Sequence, residues 1–98
     1  MPFKIFLTHE AIDDLRRLPA NTRSVVRAAI ETHLRYEPGK ISRSRIKRLR
    51  GLEHPQYRLR IGEVRVFYDI LDETTVEVLA IVSKAEVEAW LVQFENPL

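Results

Sequence analysis

The stretch YRLRIGEVRVFYDI, residues 57 to 70, restricts the fold of this chain more than any other segment. Strand side chains alternate between faces, so residues i and i+2 share one. Two alternating runs meet at Gly62-Glu63, and glycine at the first central position suits a type II′ two-residue hairpin turn. That turn sets the pairing: Ile61 with Val64, Arg60 with Arg65, Leu59 with Val66, Arg58 with Phe67, and Tyr57 with Tyr68. One face then carries Tyr57, Leu59, Ile61, Val64, Val66 and Tyr68 and is the core side. The other carries Arg58, Arg60, Arg65 and Phe67. Like charges opposite each other in a ladder are destabilising. Three arginines on one face therefore imply an anionic ligand that offsets their repulsion.

The charge distribution extends this reading. The net charge is only +2, yet nine of the sixteen Lys/Arg residues fall within residues 40–65, against Glu53 and Glu63 alone. Residues 69–98 carry seven acids against Lys84. Arginine outnumbers lysine twelve to four, which suits planar, bidentate recognition of phosphate or carboxylate. Taken alone, residues 40–50 read equally well as a solvated charged segment. The central block as a whole has the electrostatic footprint of a nucleic-acid binder, with Lys47, Arg48 and Arg50 extending the hairpin arginines.

Composition narrows the class. Ninety-eight residues, 45% of them hydrophobic and 31% charged, make one globular domain over residues 1–98. The absence of cysteine excludes disulfides, thiolate catalysis and cysteine zinc sites. No apolar run approaches the roughly 18 residues that span a bilayer. The N-terminal apolar run is too short, and acids come too early, for a signal peptide. The expected location is cytoplasmic.

Along the chain, FKIFLT (3–8) reads as a strand, and Thr8 as the cap of a helix over HEAIDDLRRL that Pro19 ends. Asn21 is a candidate cap for a second helix with Val26, Ala29, Ile30 and Leu34 at helical spacing, stopped at Glu37-Pro38-Gly39. Residues 40–56 read as loop, with a short strand candidate in RIKRLR. After the hairpin, TVEVLAIV (75–82) reads as a buried strand. Ser83 and Glu86 form a capping box before a helix with Val87, Trp90, Leu91 and Phe94 in register. The expected fold is α+β in the order β-α-α-β-β-β-α. Its small, mainly antiparallel sheet has the helix pair on one face and the arginines on the other, open face.

AIDDLRRLP, IKRLRG, YRLRIGEVRVFYDI and the final apolar strand running into a helix together resemble the RelE/ParE superfamily, the toxin halves of type II toxin–antitoxin modules. The resemblance spans nearly the whole chain. It implies a cognate antitoxin, small, acidic and partly disordered, and one of two activities. RelE-like relatives cleave mRNA in the ribosomal A site, inhibiting translation; ParE-like relatives poison DNA gyrase. Fold alone does not choose between them. By the resemblance, Arg58 and Arg60 fall where the nucleases carry lysines, and Arg65 on their second-strand arginine. Lys84 stands where an arginine is usual, and Trp90 where the nucleases have a tyrosine. The leading expectation is a metal-independent endoribonuclease using Arg58, Arg60, Arg65 and Lys84, without cofactor or membrane partner. Gyrase inhibition, or binding without catalysis, is the alternative.

RNA cleavage by the 2′-hydroxyl needs cations on the phosphorane and groups that move protons. Arginine fills the first role and is poor at the second. Phe67 is the candidate stacking platform for a base. Trp90 lacks a phenolic hydroxyl; its register with Val87, Leu91 and Phe94 suggests core packing, with base stacking as the alternative. His54, in GLEHPQYR, is a candidate general base or an incidental loop residue. His9, His33 and His54 form no recognisable metal pattern.

Overall fold

A computed structural model of the chain describes residues 1–94. The elements run β1 (Lys4–Leu7), α1 (His9–Arg17), α2 (Ala20–Leu34), β2 (Ile46–Arg48), β3 (Tyr57–Ile61), β4 (Val64–Asp72) and β5 (Thr75–Ser83). A C-terminal helical run follows: a 3₁₀ turn at Lys84–Glu86, α3 (Val87–Leu91) and a second 3₁₀ turn at Val92–Phe94. The five strands form one sheet in the order β1-β5-β4-β3-β2. Every pairing is antiparallel except β1 with β5, which is parallel, so the sheet is mixed. The α+β class holds. The candidate strand in RIKRLR is realised as β2, which adds one strand to the expected order. Among the described residues, no helix is long and apolar enough to cross a membrane.

The β3–β4 hairpin has the register that Gly62-Glu63 requires, from Ile61↔Val64 to Tyr57↔Tyr68. Gly62 sits at φ +57°, where an L side chain is strained. Leu59, Ile61, Val64, Val66 and Tyr68 are buried with Ala11 and Leu15 of α1 and Val26, Ile30 and Leu34 of α2. Tyr57 stacks on Tyr68 with centroids 5.4 Å apart. The Tyr68 hydroxyl donates to the Pro38 carbonyl at 2.5 Å, which ties the end of the helix pair to the sheet. Burial pushes that phenol well above its ordinary pKa.

Side chains complete the backbone bonding where α1 meets its neighbours. Thr8 caps α1, its Oγ1 accepting from the Ala11 N–H at 3.1 Å and donating to the Leu79 carbonyl at 3.1 Å. Asn21 does not cap α2. Extended Pro19 occupies that position, and its carbonyl accepts the Arg23 N–H at 2.8 Å, so the helix opens earlier, at Ala20. Asn21 instead bonds the Thr22 N–H. The Arg23 guanidinium donates to the carbonyls of Leu15, Arg16 and Leu18, covering the C-terminal end of α1.

β1 pairs with β5 only as far as Val78. Beyond that point α1 supplies the partners: Thr8 takes the Leu79 carbonyl, and buried Asp14 accepts the Ile81 N–H at 2.9 Å while holding Arg17 on its other oxygen. Burial raises the Asp14 pKa, against the lowering influence of the Ile81 N–H and Arg17. A raised folded-state pKa means the folded chain holds this proton more tightly. Asp14's contribution to stability is therefore fullest below its ordinary value of 3.8 and declines as pH rises through the raised value. The stability difference between wild type and Asp14→Asn, from urea midpoints, should fall across that window. Asp14→Ala should cost about 1–3 kcal/mol by leaving the Ile81 N–H unpaired.

Candidate nucleic-acid interface

The sheet face opposite the helix pair is arranged in rows. Lys47, Arg58, Phe67 and Ala80 lie across β2, β3, β4 and β5 in one row; Arg60, Arg65 and Val82 form the next, nearer the turn. The Lys84 backbone N–H donates to the Glu63 carbonyl at 2.7 Å, which sets Lys84 beside that turn. Arg58, Arg60, Arg65 and Lys47 therefore share one face, and exposed Lys84 sits at its turn end.

This face is not open. The apolar stripe of the C-terminal helix docks on it, positioned by the Ser83–Glu86 capping box. Trp90 stacks on Phe67 at 4.7 Å with an interplanar angle of 16°, and Phe94 tilts against Trp90. The indole N–H donates to Glu10 Oε1 at 3.1 Å, joining the helix to α1. Phe67 is fully buried and Trp90 only 8% exposed. Phe67 therefore has no free face for a base, contrary to its expected stacking role, and Trp90 is a core residue. The face divides into an apolar half over β4 and β5 and a cationic half over β2, β3 and the turn.

The three hairpin arginines differ from one another. Arg60 is exposed. Arg65, expected as a phosphate binder, is buried, and its Nη1 donates to the carbonyls of Gly62 at 2.7 Å and Val64 at 3.1 Å, so it braces the turn. Arg58 is half-buried, and its Nε has no hydrogen-bond partner among the described residues. Burial, and then the charges of Arg65 and Arg60, lower the Arg58 pKa. Among the described residues, no carboxylate lies within ion-pair distance of these arginines, Lys47 or Lys84. The arrangement can grip a polyanion and stabilise charge developing on phosphorus. It offers no good proton-transfer group of its own.

Two other expected binders stand apart. Arg48 pairs with Tyr57 and so lies on the helix-pair side. Its guanidinium sits 5.1 Å from the Tyr57 ring centroid and donates to the Gln56 carbonyl at 2.7 Å. Arg50 is exposed in the loop after β2.

His54 is not an incidental loop residue. Its Nδ1 lies 2.6 Å from Asp69 Oδ2, and Asp69 Oδ1 accepts the Gln56 N–H at 2.7 Å. Asp69 is buried on β4, one row beyond Arg58 and Phe67. The sequence reading missed it, although an acid inside the apolar run VFYDIL was the available signal. Among the described residues, no three His, Asp or Glu side chains converge as a metal site would require.

Comparisons with known proteins bear on the fold and family. A family model described as the ParE toxin of the type II toxin–antitoxin system parDE matches residues 5–88. The toxin–antitoxin complex RelBE2 from Mycobacterium tuberculosis is similar at TM-score 0.70 and 29% identity, over 85% of this chain and 99% of that one. A free E. coli RelE toxin mutant is similar at 0.68 and 23%, over 95% and 97%. A RelB–RelE complex from Methanococcus jannaschii is similar at 0.64 and 19%, over 87% and 96%. No curated protein matches.

The Trp90 packing generates a test. Trp90→Ala should destabilise by about 3–5 kcal/mol in denaturant unfolding, as truncation of a buried large aromatic does. Trp90→Phe should retain most of the stability, losing the bond to Glu10.

Proposed function

The chain belongs to the ParE toxin family of type II toxin–antitoxin systems, within the RelE/ParE superfamily, and from that premise we propose that it is a RelE-like endoribonuclease that cleaves mRNA on the ribosome and so inhibits translation. One observation carries this reading. Arg58, Arg60 and Arg65 are gathered on one face with no acid among them, and the charges of Arg65 and Arg60 add to burial in lowering the Arg58 pKa. A fold keeps such an arrangement when a polyanion relieves it.

In this reading Arg60, Lys84 and Lys47 seize the phosphates flanking the scissile bond. Half-buried Arg58 offers its guanidinium to the reacting phosphate. Arg65 holds the turn rigid, which positions the others, and adds fixed positive charge. As the 2′-oxygen attacks, negative charge grows on the phosphoryl oxygens, and pre-oriented guanidinium groups stabilise it without reorganising.

Gyrase inhibition is the second reading, favoured by the parDE description of the matching family and by a tryptophan where the nucleases carry a tyrosine. The partners we propose are the ribosome with its mRNA and a cognate antitoxin. Several structural relatives are complexes of toxin with antitoxin. An acidic, partly disordered segment of such a protein, folding on binding, would cover the arginines together with exposed Phe6 or Leu71. With these partners the chain would work in the cytoplasm.

A reconstituted translation reaction tests the two activities side by side. Reporter mRNA should be cut only when ribosomes are present; gyrase-dependent linearisation of plasmid with intact mRNA would establish the second reading instead. Arg60→Gln should weaken RNA binding and toxicity. Fold stability should hold or rise by roughly 0.2–1 kcal/mol as the repulsion from Arg65 is relieved. Arg65→Gln should lose binding and about 1 kcal/mol of stability together, because its bonds to the turn carbonyls go with it.

A further inference from the structure

We propose that His54, oriented by Asp69, is the proton-transfer group of the RNA cleavage; this rests on the nuclease reading and deepens it. Asp69 uses both oxygens as acceptors, Oδ1 from the Gln56 N–H and Oδ2 from the His54 ring. A neutral ring bonded in this way carries its proton on Nδ1 and leaves the Nε2 lone pair free. Nε2 has no partner among the described residues, and the His54 side chain is 56% exposed. The ring lines a groove of about 620 Å³ whose walls include Leu71, Leu79, Trp90 and Phe94. The other titratable groups facing this groove are His9 and Glu10 from the start of α1, Asp69 from β4 and Glu77 from β5.

The placement fits the chemistry. Asp69 lies two residues along β4 from Phe67, the partner of Arg58, so the dyad is roughly 7 Å down the strand from the phosphate-binding row. The 2′-hydroxyl neighbours the phosphorus it attacks, so the Arg58 and His54 side chains would converge on one phosphodiester from adjacent rows. Histidine Nε2 takes the 2′-hydroxyl proton as the 2′-oxygen bonds to phosphorus. The bond from phosphorus to the 5′-oxygen breaks, leaving a 2′,3′-cyclic phosphate. The 5′-oxygen takes a proton from water, and the resulting hydroxide is neutralised by the imidazolium, which restores the neutral ring. The arginines cannot serve as that acceptor, and Trp90 has no hydroxyl with which to help.

Single-turnover cleavage of reporter mRNA in the reconstituted translation reaction tests this. His54→Gln keeps a donor for Asp69 but cannot take the proton. It should cleave roughly 10²–10⁴-fold more slowly with binding unchanged. His54→Ala should recover part of its rate with added imidazole, and Asp69→Asn should shift the pH–rate profile. His33→Gln, distant on α2, should behave as wild type. Wild-type rates in His54→Gln overturn the inference and leave the nuclease reading standing. So does a slowed His54→Ala that imidazole does not rescue. A wild-type protein that cleaves nothing on the ribosome overturns both.

Discussion

The two-residue turn at Gly62-Glu63 sets everything that follows in the sheet. A slip of β3 by one residue against β4 would exchange its two faces, sending Arg58 and Arg60 toward Leu15, Val26 and Ile30 and exposing Leu59 and Ile61. Gly62 takes the positive φ that the turn demands. Arg65 then closes on the turn carbonyls, so a residue of the cationic face also secures the register that creates that face.

The second constraint is how a five-stranded sheet with helices on one side disposes of its other face. The Phe67–Trp90 stack, with Phe94, Leu79 and Val82 around it, removes the apolar half from water. What remains exposed is the half that carries charge. The division follows the strands: β4 and β5 bring Phe67 and Ala80 under the helix, whereas β2 and β3 bring Lys47 and Arg58 outside it. Trp90 thus acts on the cationic half by setting its border. Its link to Glu10 couples that border to α1, and α1 is itself held to β5 by Asp14 and Thr8.

Local rules made the hairpin, its register, its core face, the Thr8 cap and the capping box legible in the sequence, because each depends on residues a few positions apart. What stayed hidden depends on contacts between distant segments. The stripe Val87, Trp90, Leu91 and Phe94 announces a docked helix but not the surface it docks on, so Phe67 was read as exposed. Arg48 alternates with Lys47, and only the alignment of β2 on β3 shows that it faces Tyr57. Pro19 displaced Asn21 as the start of α2 through its carbonyl, a role its side chain does not advertise. The His54–Asp69 pair joins residues fifteen apart, and its acid lies inside a strand that otherwise reads as apolar.

The central claim is that the cationic half-face binds the phosphates of RNA. The most direct test is the salt dependence of affinity for a short single-stranded RNA. Each phosphate contact should contribute a slope of about −0.7 to log K against log salt. With Arg58, Arg60, Lys84 and Lys47 engaged, the slope should lie between roughly −2 and −3 and should lose about one contact's worth in Arg60→Gln. A slope near zero, or a steep one that the substitution leaves unchanged, would contradict the claim.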